Sequence, residues 1–312
     1  MPIGESMAGT SGSPAAKGVP LQEDARTGAP APGAPLNGPG AGAPATGATG
    51  PAGASPAAPL ASGTGLRLSG VARVFGQVVA VSGVDLEVPL HSRLSIVGPS
   101  GCGKSTLLGL ISGLDEPSEG TIDVLGATSS AERLRRCAWM PQRDLLLPWR
   151  DVLGNAALAL ENQGVRRRAA RQRVGHLVER FGLAGFEEKL PYQLSGGMRQ
   201  RVSFLRTLVA GKEVLLLDEP FGALDSITRA DLQEWLRTAL DAEPRTTVLV
   251  THDVEEALLI GERVVVMSAR PGRIRAQFEV HLPAAGSRRE LIRHPEFAEL
   301  RDEILSLLEA VT

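Results

Sequence analysis

Cysteine is scarce in this sequence, whose 312 residues include only Cys102 and Cys137. Two cysteines cannot form the dense disulfide framework of a small secreted protein, so a reducing compartment is favoured. Long apolar runs are missing as well: residues 264–267 have only strand length, whereas a membrane helix needs roughly 18 to 20 apolar residues. The amino terminus lacks a basic start followed by an apolar stretch. We therefore expect a cytoplasmic chain with no secretory signal and no membrane span.

Neither sign of charge dominates the sequence. The formal net charge is −2 at pH 7, which gives no general signal for binding a polyanion. We therefore expect no nucleic-acid partner. The chain is long enough to bury a sizeable core in one or two domains.

The amino-terminal residues differ in composition from the rest. Of the 22 prolines, 11 lie within residues 1–60, where they alternate with glycine and alanine. Such a segment has too little apolar area to offset the entropy lost on ordering. We predict a disordered tail over residues 1–64, and Met7 is an alternative start of the chain.

From Leu66 onward, short apolar runs alternate with glycine turns and amphipathic stretches, a pattern typical of α/β domains. Residues 93–97 predict a strand that leads through a glycine loop into a helix over 104–112. Residues 214–217 and 246–250 predict further buried strands. Polar residues follow these strands directly, at the edge where open α/β sheets bind ligands. The expected domain covers 65–275.

A helical insert is predicted within this domain, over about residues 145–205. Its apolar residues recur at helical spacing. They are Val152, Ala156, Leu160, Val174, Leu177, Val178 and Phe181. After the domain, an amphipathic stretch with Phe297, Leu300, Ile304 and Leu307 predicts a helical extension over 276–312 that packs on it.

A phosphate-binding loop is the most specific motif of the sequence. The pattern G-x-x-x-x-G-K-S is matched completely between a predicted strand and a predicted helix. Its residues are Gly98, Pro99, Ser100, Gly101, Cys102, Gly103, Lys104 and Ser105. Backbone N–H groups and the helix amino terminus cradle phosphate oxygens in such a loop, Lys104 meets the β and γ phosphates, and Ser105 offers its hydroxyl to Mg²⁺. We assign Thr106, the next residue, to the same site.

The alternative to a phosphate site is a chance glycine-rich turn. The chain has only four lysines among its 33 basic residues, and one of them occupies the single loop position that requires lysine. The context of strand, loop and helix also favours the phosphate site.

Two adjacent acids, Asp218 and Glu219, end the apolar run 214–217. Asp218 is predicted to reach the Mg²⁺ shell, and Glu219 to polarise or deprotonate an attacking water. The alternative is that paired acids simply end a strand. The phosphate loop upstream favours a catalytic role.

A second helix start has the small residues of an anion site. Residues 194–200 read Leu-Ser-Gly-Gly-Met-Arg-Gln and begin a run whose predicted buried stripe is Val202, Leu205 and Val209. Free N–H groups and the helix dipole make such a start attractive to anions. One nucleotide already has a phosphate cradle in this chain. The second site is best explained if it serves the nucleotide of another copy.

Together these motifs resemble those of the ATP-binding subunit of an ATP-binding-cassette (ABC) transporter, from Leu66 to about Arg273. Several independent motifs stand in the family's order. They are the Walker A loop at 98–105, the Q-loop Gln142, the signature at 194–200, the Walker B pair Asp218 and Glu219, the D-loop at 223–225 and the switch histidine His252. Met198 departs from the commoner signature glutamine, whereas Ser195 and Gly197 are retained.

The resemblance implies a fold and a set of roles. The fold would be an α/β phosphate-loop NTPase with a RecA-like core, an antiparallel β subdomain and an inserted α-helical subdomain. Two copies would form a head-to-tail homodimer that holds two ATP and Mg²⁺ between them. The roles fall into catalysis by Glu219, His252 and Gln142, metal binding by Ser105, Gln142 and Asp218, and contact with the other copy's nucleotide by Ser195, Gly196, Gly197 and Asp225.

Two of these roles have structural alternatives. A lone histidine is more often structural than catalytic, although Val250-Thr251-His252-Asp253 after a strand favours function. Phe75 stands where the family often has an aromatic residue stacking on adenine. The alternative for Phe75 is a place in the core, because Val71, Val74 and residues 78–81 are also apolar.

Three segments resemble the importer branch for nitrate, sulfonates, taurine and pyrimidine precursors. They are Leu146-Leu147-Pro148-Trp149, residues 220–225 and residues 267–273. The expected partners are permease subunits and, through them, a separate solute-binding protein, which would place the chain at the cytoplasmic face of the membrane. The segment after Gln142 is expected to receive a short permease helix through Leu147 or Trp149. The alternative is that these side chains bury against the insert.

Other members of the superfamily act in DNA repair or translation. Repair members carry long coiled coils between Walker A and the signature, whereas Gly98 and Ser195 are 195 − 98 = 97 positions apart with helix breakers between them. Ribosome-associated members join two cassettes, and this chain has one. A binding module without turnover is disfavoured because Glu219 and His252 are both present.

Overall fold

The computed structural model describes residues 63–283 and 286–311. The predicted tail therefore lies outside the described residues, except for its last two positions. The first strand already begins at Thr64.

The strands of the described residues form two sheets. Their bounds are β1 Thr64–Phe75, β2 Val78–Pro89, β3 Arg93–Val97, β4 Glu119–Val124, β5 Cys137–Met140, β6 Val214–Asp218, β7 Thr246–Val250, β8 Arg263–Met267 and β9 Ile274–Glu279. Strands β2, β1 and β4 make an antiparallel sheet in that order. The larger sheet has the order β5-β6-β7-β3-β8-β9 and is parallel except for the pair β8 and β9.

The helices surround the larger sheet or belong to the insert. Their bounds are α1 Lys104–Ser112, α2 Ser130–Arg136, α3 Val152–Ala156, α4 Leu158–Asn162, α5 Arg167–Val178, α6 Gly196–Leu208, α7 Ser226–Ala242, α8 Val254–Ile260, α9 Arg288–Ile292 and α10 Pro295–Val311. A short 3₁₀ turn spans Pro191–Gln193. This architecture confirms the predicted fold class.

Strand β6 shows why the larger sheet reads as continuous apolar runs. All of its residues are buried, because both faces of a parallel sheet are covered. Successive side chains point to opposite faces. Val214 and Leu216 accordingly pack in the core shared with the antiparallel sheet, and Leu215 and Leu217 pack in the core shared with the helical insert.

The carboxyl-terminal prediction needs a correction at its start. Residues 276–279 belong to β9, whose side chains alternate between half-buried and exposed as expected for an edge strand. The later part is helical, and Phe297 and Ile304 of α10 are buried against α8 and β8. No helix within the described ranges combines the length and hydropathy needed to cross a membrane.

Asp151 connects two helices of the insert, α3 and α5. Its carboxylate caps α3 by accepting from Gly154 N at 2.7 Å, and it forms a two-point ion pair with Arg171 of α5 at 2.7 and 2.8 Å. Burial alone would raise the pKa of Asp151, but these hydrogen bonds outweigh it and hold the pKa below its usual value.

We expect Asp151→Ala to lower the free energy of unfolding by about 2 kcal/mol, because it removes a helix cap and a charge-assisted pair together. Asp151→Asn keeps the cap acceptor and should lose less. Since the folded pKa is depressed, the stabilisation is complete above the unfolded pKa of about 3.9 and disappears as pH falls through the lower folded pKa. Urea unfolding at neutral and acidic pH measures this, and an equal loss at every pH would contradict the ion-pair account.

Candidate functional site

The phosphate loop connects β3 to α1 at the carboxyl edge of the larger sheet. Gly101 and Gly103 adopt positive φ angles of 74° and 105°, which favour glycine. A Cβ on Gly103 would lie 2.8 Å from the Ala80 carbonyl oxygen of β2, so only glycine lets the loop pass this close. The loop is thus a tight backbone cradle at the amino terminus of a helix.

Lys104 is held inside this loop. Only 6% of the residue is exposed, and its Nζ donates to the carbonyl oxygens of Gly98 at 2.7 Å and Pro99 at 2.9 Å. Cys102 is buried, with its Sγ 3.8 Å from the same Nζ. The ammonium group therefore has its charge focused at the loop, as binding a phosphate requires.

Asp218 lies beside the loop and contacts Ser105. Burial raises the pKa of its carboxyl above the usual range, the hydrogen bond from Ser105 opposes this, and the Glu219 charge adds to the rise. A buried carboxylate next to a hydroxyl is a set of hard oxygen ligands, which Mg²⁺ prefers. A cation would also offset the cost of the buried charge, so the residues present fit Mg²⁺.

Glu219 is held between two other predicted residues. Gln142 Nε2 donates to its Oε2 at 2.9 Å, and His252 Nδ1 lies 3.5 Å from its Oε1. Glu219 has a φ of 50°, an unusual value for a residue with a Cβ. The three residues come from the ends of neighbouring strands β5, β6 and β7. Strand order, not sequence distance, brings them together.

A buried network positions the loop that carries His252. Thr251 Oγ1 donates to Glu256 Oε2 at 2.6 Å and accepts from Asp253 N at 3.0 Å. Asp253 then caps α8 by accepting from the backbone N of Glu255 and Glu256. Burial raises the pKa of Glu256, and the Thr251 hydrogen bond opposes this rise.

One cavity of about 270 Å³ brings together residues of the phosphate loop with Gln142 and Glu219. It is lined by the predicted residues Ser100, Gly101, Gly103, Lys104, Ser105, Thr106, Gln142 and Glu219. Ala80 and Arg270 line it as well. Sequence reasoning missed Arg270 as a site residue, although the segment that contains it was noted for its resemblance to importers.

Arg270 belongs to a loop that packs closely against the phosphate loop. Its guanidinium donates to Gly101 O at 2.9 and 3.2 Å. Gly272 donates to Ala80 O at 3.0 Å, and a Cβ on Gly272 would lie only 2.1 Å from Cys102 O. One sequence signal pointed to Arg270, because its loop directly follows a strand, where open α/β sheets bind ligands. The sequence could not tell that β8 is the neighbour of β3.

The signature and the D-loop do not line this cavity. Ser195 caps α6 by accepting from Met198 N at 3.2 Å, and Asp225 caps α7 by accepting from Thr228 N at 3.0 Å. Ser195, Gly196 and Asp225 are exposed, and Gly197 is half-buried near Ala223 O. Ser195, Gly196 and Asp225 thus lie on the surface of their own chain, whereas Leu194 and Gln200 of the signature are buried.

Phe75 also lies outside the cavity, at the end of β1. The residue is 44% exposed, and the Arg73 guanidinium stacks 4.5 Å from the centre of its ring. This exposure excludes the core alternative. A half-exposed ring remains compatible with stacking on a base.

The loop, the buried lysine and the paired acids lie together at one edge of the larger sheet, and comparisons with known proteins show the family to which the chain belongs. Residues 81–222 match the family model described as ABC transporter. The taurine import ATP-binding protein TauB of Rhizobium johnstonii is 42% identical over 77% of this chain and 92% of its own length. The aliphatic sulfonates import ATP-binding protein SsuB 1 of Rhodococcus jostii is 44% identical over 67% and 82%.

Solved structures show the same class. The dimeric structure of MJ0796, a bacterial ABC transporter cassette, superposes with a TM-score of 0.65 and 29% identity. The match covers 69% of this chain and 99% of that one. The chain belongs to the ABC transporter family, as one of its ATP-binding and ATP-hydrolysing proteins.

Proposed function

We propose that this chain hydrolyses ATP to drive the import of a small solute, with taurine and other sulfonates as the leading class. The observation that carries the catalytic part is the Glu219 carboxylate, held by Gln142 and His252 beside the phosphate loop. The solute class rests on the TauB and SsuB relatives, because the solute itself does not contact an ATP-binding subunit.

ATP binding follows from the cradle and its charges. The phosphate-loop residues, from Gly98 to Thr106, would wrap the β and γ phosphates, with Lys104 neutralising their charge. Ser105, Asp218 and Gln142 would hold Mg²⁺, which supplies further charge neutralisation when bound. Phe75 would stack on the adenine.

Hydrolysis requires little covalent help from the protein. A water held by Glu219 attacks the γ-phosphorus, the bond to the bridging oxygen breaks, and ADP leaves with that electron pair. The Glu219 carboxylate accepts the water's proton. Gln142 and His252 fix the direction of the carboxylate, since positioning and charge dominate this reaction.

A second copy of the chain would complete each site. The exposed helix start at Ser195, Gly196 and Gly197 is absent from the chain's own cavity, so its free N–H groups are available to the γ-phosphate bound by a partner copy. Asp225 would lie at the same interface. The dimeric ABC cassette structure supports this arrangement.

The segment after Gln142 would contact a permease. The Asn155 side chain is fully buried and holds the backbone of Leu147. Its Oδ1 accepts from Leu147 N at 2.7 Å, and its Nδ2 donates to Leu147 O at 3.1 Å. Leu146 packs in the insert's core, Leu147 is half-buried, and Leu145 and Trp149 are 61% and 73% exposed. Exposed large apolar residues on a rigid segment suit a protein interface. The subunit would then sit at the cytoplasmic face of the membrane, served by a separate solute-binding protein.

We expect the double variant Leu145→Asp, Trp149→Ala to keep its ATPase activity but to lose permease binding and solute uptake. Removing an exposed apolar anchor costs the interface about 2 kcal/mol or more, roughly a 30-fold loss of affinity, without touching the cavity. Co-purification with the permease and taurine uptake into proteoliposomes measure it. Leu305→Ala on α10, also an exposed apolar site, is the control. Normal assembly and uptake by the double variant would place the interface elsewhere.

A further inference from the structure

Gln200 is a buried side chain that joins two functional segments. It lies in α6, the helix that begins at the signature, and 6% of it is exposed. Its Nε2 donates to the backbone carbonyl of Glu219 at 2.8 Å, and its Oε1 accepts from Ala223 N at 3.0 Å. One amide thus links Glu219, the first residue of the loop between β6 and α7, to Ala223 in the same loop.

The backbone of Glu219 needs such support. Its φ of 50° lies in the left-handed region, which is unfavourable for a residue with a Cβ and persists only where the surroundings impose it. Three hydrogen bonds hold the backbone of this residue in place. Glu219 N donates to Val250 O of β7 at 2.8 Å, and Glu219 O accepts from Gln200 Nε2 at 2.8 Å and from Gly222 N at 3.2 Å.

Helix α6 is tied to the Q-loop as well. Arg199 Nε donates to Asp144 Oδ2 at 2.9 Å, and Arg206 donates to the carbonyl oxygens of Asp144 at 2.8 Å and Leu145 at 2.9 Å. The helix is therefore fastened on one side to the segment that follows Gln142 and on the other to Glu219. A shift of α6 would move both partners of the bond between Gln142 and Glu219.

We propose that Gln200 is a positioning residue for Glu219 of its own chain. Through Gln200, the position of the Glu219 carboxylate depends on the placement of α6, the helix whose start serves the nucleotide of the partner copy. The second half of this statement rests on the proposed composite site. The first half rests on the hydrogen bonds alone. A displacement of about 1 Å at a catalytic group can lower the rate about 100-fold. Loss of the hydrogen bond from Gln200 to Glu219 O should therefore lower kcat.

The first test uses the homodimer. Gln200→Met should lower kcat by about 10- to 100-fold and leave the KM for ATP within about twofold, because the phosphate loop is untouched. Gln200→Glu keeps the acceptor for Ala223 N but loses the donor to Glu219 O, so it should lose a similar factor. Gln233→Met, a buried glutamine on α7 with 2% exposure, is the matched control. A kcat within twofold of wild type in either Gln200 variant, with a melting temperature close to wild type, overturns the proposal.

The second test asks which site Gln200 serves. In a heterodimer of a Ser195→Arg chain and a Lys104→Ala chain, the one intact site uses the Walker motifs of the first chain and the signature of the second. Gln200→Met placed in the Ser195→Arg chain should abolish most turnover, because that chain supplies the active Glu219. Placed in the Lys104→Ala chain, it should leave turnover nearly unchanged.

These outcomes separate the possible failures. The reverse pattern would mean that Gln200 shapes the signature rather than Glu219, and equal losses in both placements would also overturn the proposal. If the parent heterodimer is itself inactive, the composite site of the proposed function fails, and the homodimer kcat then decides the role of Gln200 alone.

Discussion

Glu219→Gln is expected to lower the turnover of ATP by about 100- to 10,000-fold while ATP binding stays intact. The amide keeps the shape of the side chain but cannot accept the proton of the attacking water. Because phosphate binding depends on the loop and Lys104, the variant should accumulate an ATP-bound dimer. Phosphate release, nucleotide binding and gel filtration with ATP measure these three effects.

Two further variants interpret this result. Glu243→Gln removes a solvent-exposed carboxylate that lies outside the cavity and should leave turnover unchanged. Lys104→Ala should weaken ATP binding itself, since it removes the buried cation of the loop. Near-normal turnover in Glu219→Gln would assign the proton acceptor to another group.

Mixing a Ser195→Arg chain with a Lys104→Ala chain is expected to restore turnover that neither homodimer shows. Each homodimer has two damaged sites and should lose about 100-fold or more, because a preorganised cation or helix start is removed from both. The heterodimer has one intact site, built from the Walker motifs of one chain and the signature of the other. Steady-state phosphate release after mixing measures the recovery.

The control for this experiment is a mixture of two differently tagged Ser195→Arg preparations, which should remain inactive. Tandem affinity purification shows that heterodimers have formed. If purified heterodimers are no more active than the separate variants, each chain must complete its own site, and the exposed signature needs another explanation.

Local chemistry made the phosphate loop readable from the sequence. Its glycines permit positive φ and close backbone approach, its lysine is one of only four, and the flanking strand and helix follow from their periodicity. The buried strands were also predictable, since a parallel strand covered on both faces is continuously apolar. The start of the carboxyl-terminal extension was predicted wrongly as helical, because an edge strand such as β9 owes its form to its neighbour β8.

The contacts among distant residues were beyond local pattern. Gln142 and Glu219 are 77 positions apart, and Arg270 and Gly101 are 169 apart. Only the strand order β5-β6-β7-β3-β8-β9 brings their loops together. Gln200 was visible as part of the signature, but its contact with the Glu219 carbonyl depends on how α6 packs against β5 and the neighbouring core.

By itself, the sequence determined which chemical groups this chain carries. The phosphate loop, the paired acids and the signature are each a continuous stretch of sequence, and local physical chemistry explains the residues of each. The tertiary structure alone decided which groups act together. It directed Glu219 between Gln142 and His252, placed Arg270 on the phosphate loop and left Ser195 and Gly196 of the signature on the surface. The reason is that hydrogen bonds over a few ångströms depend on strand order and helix packing, which arise from burial over the whole domain rather than from any one segment.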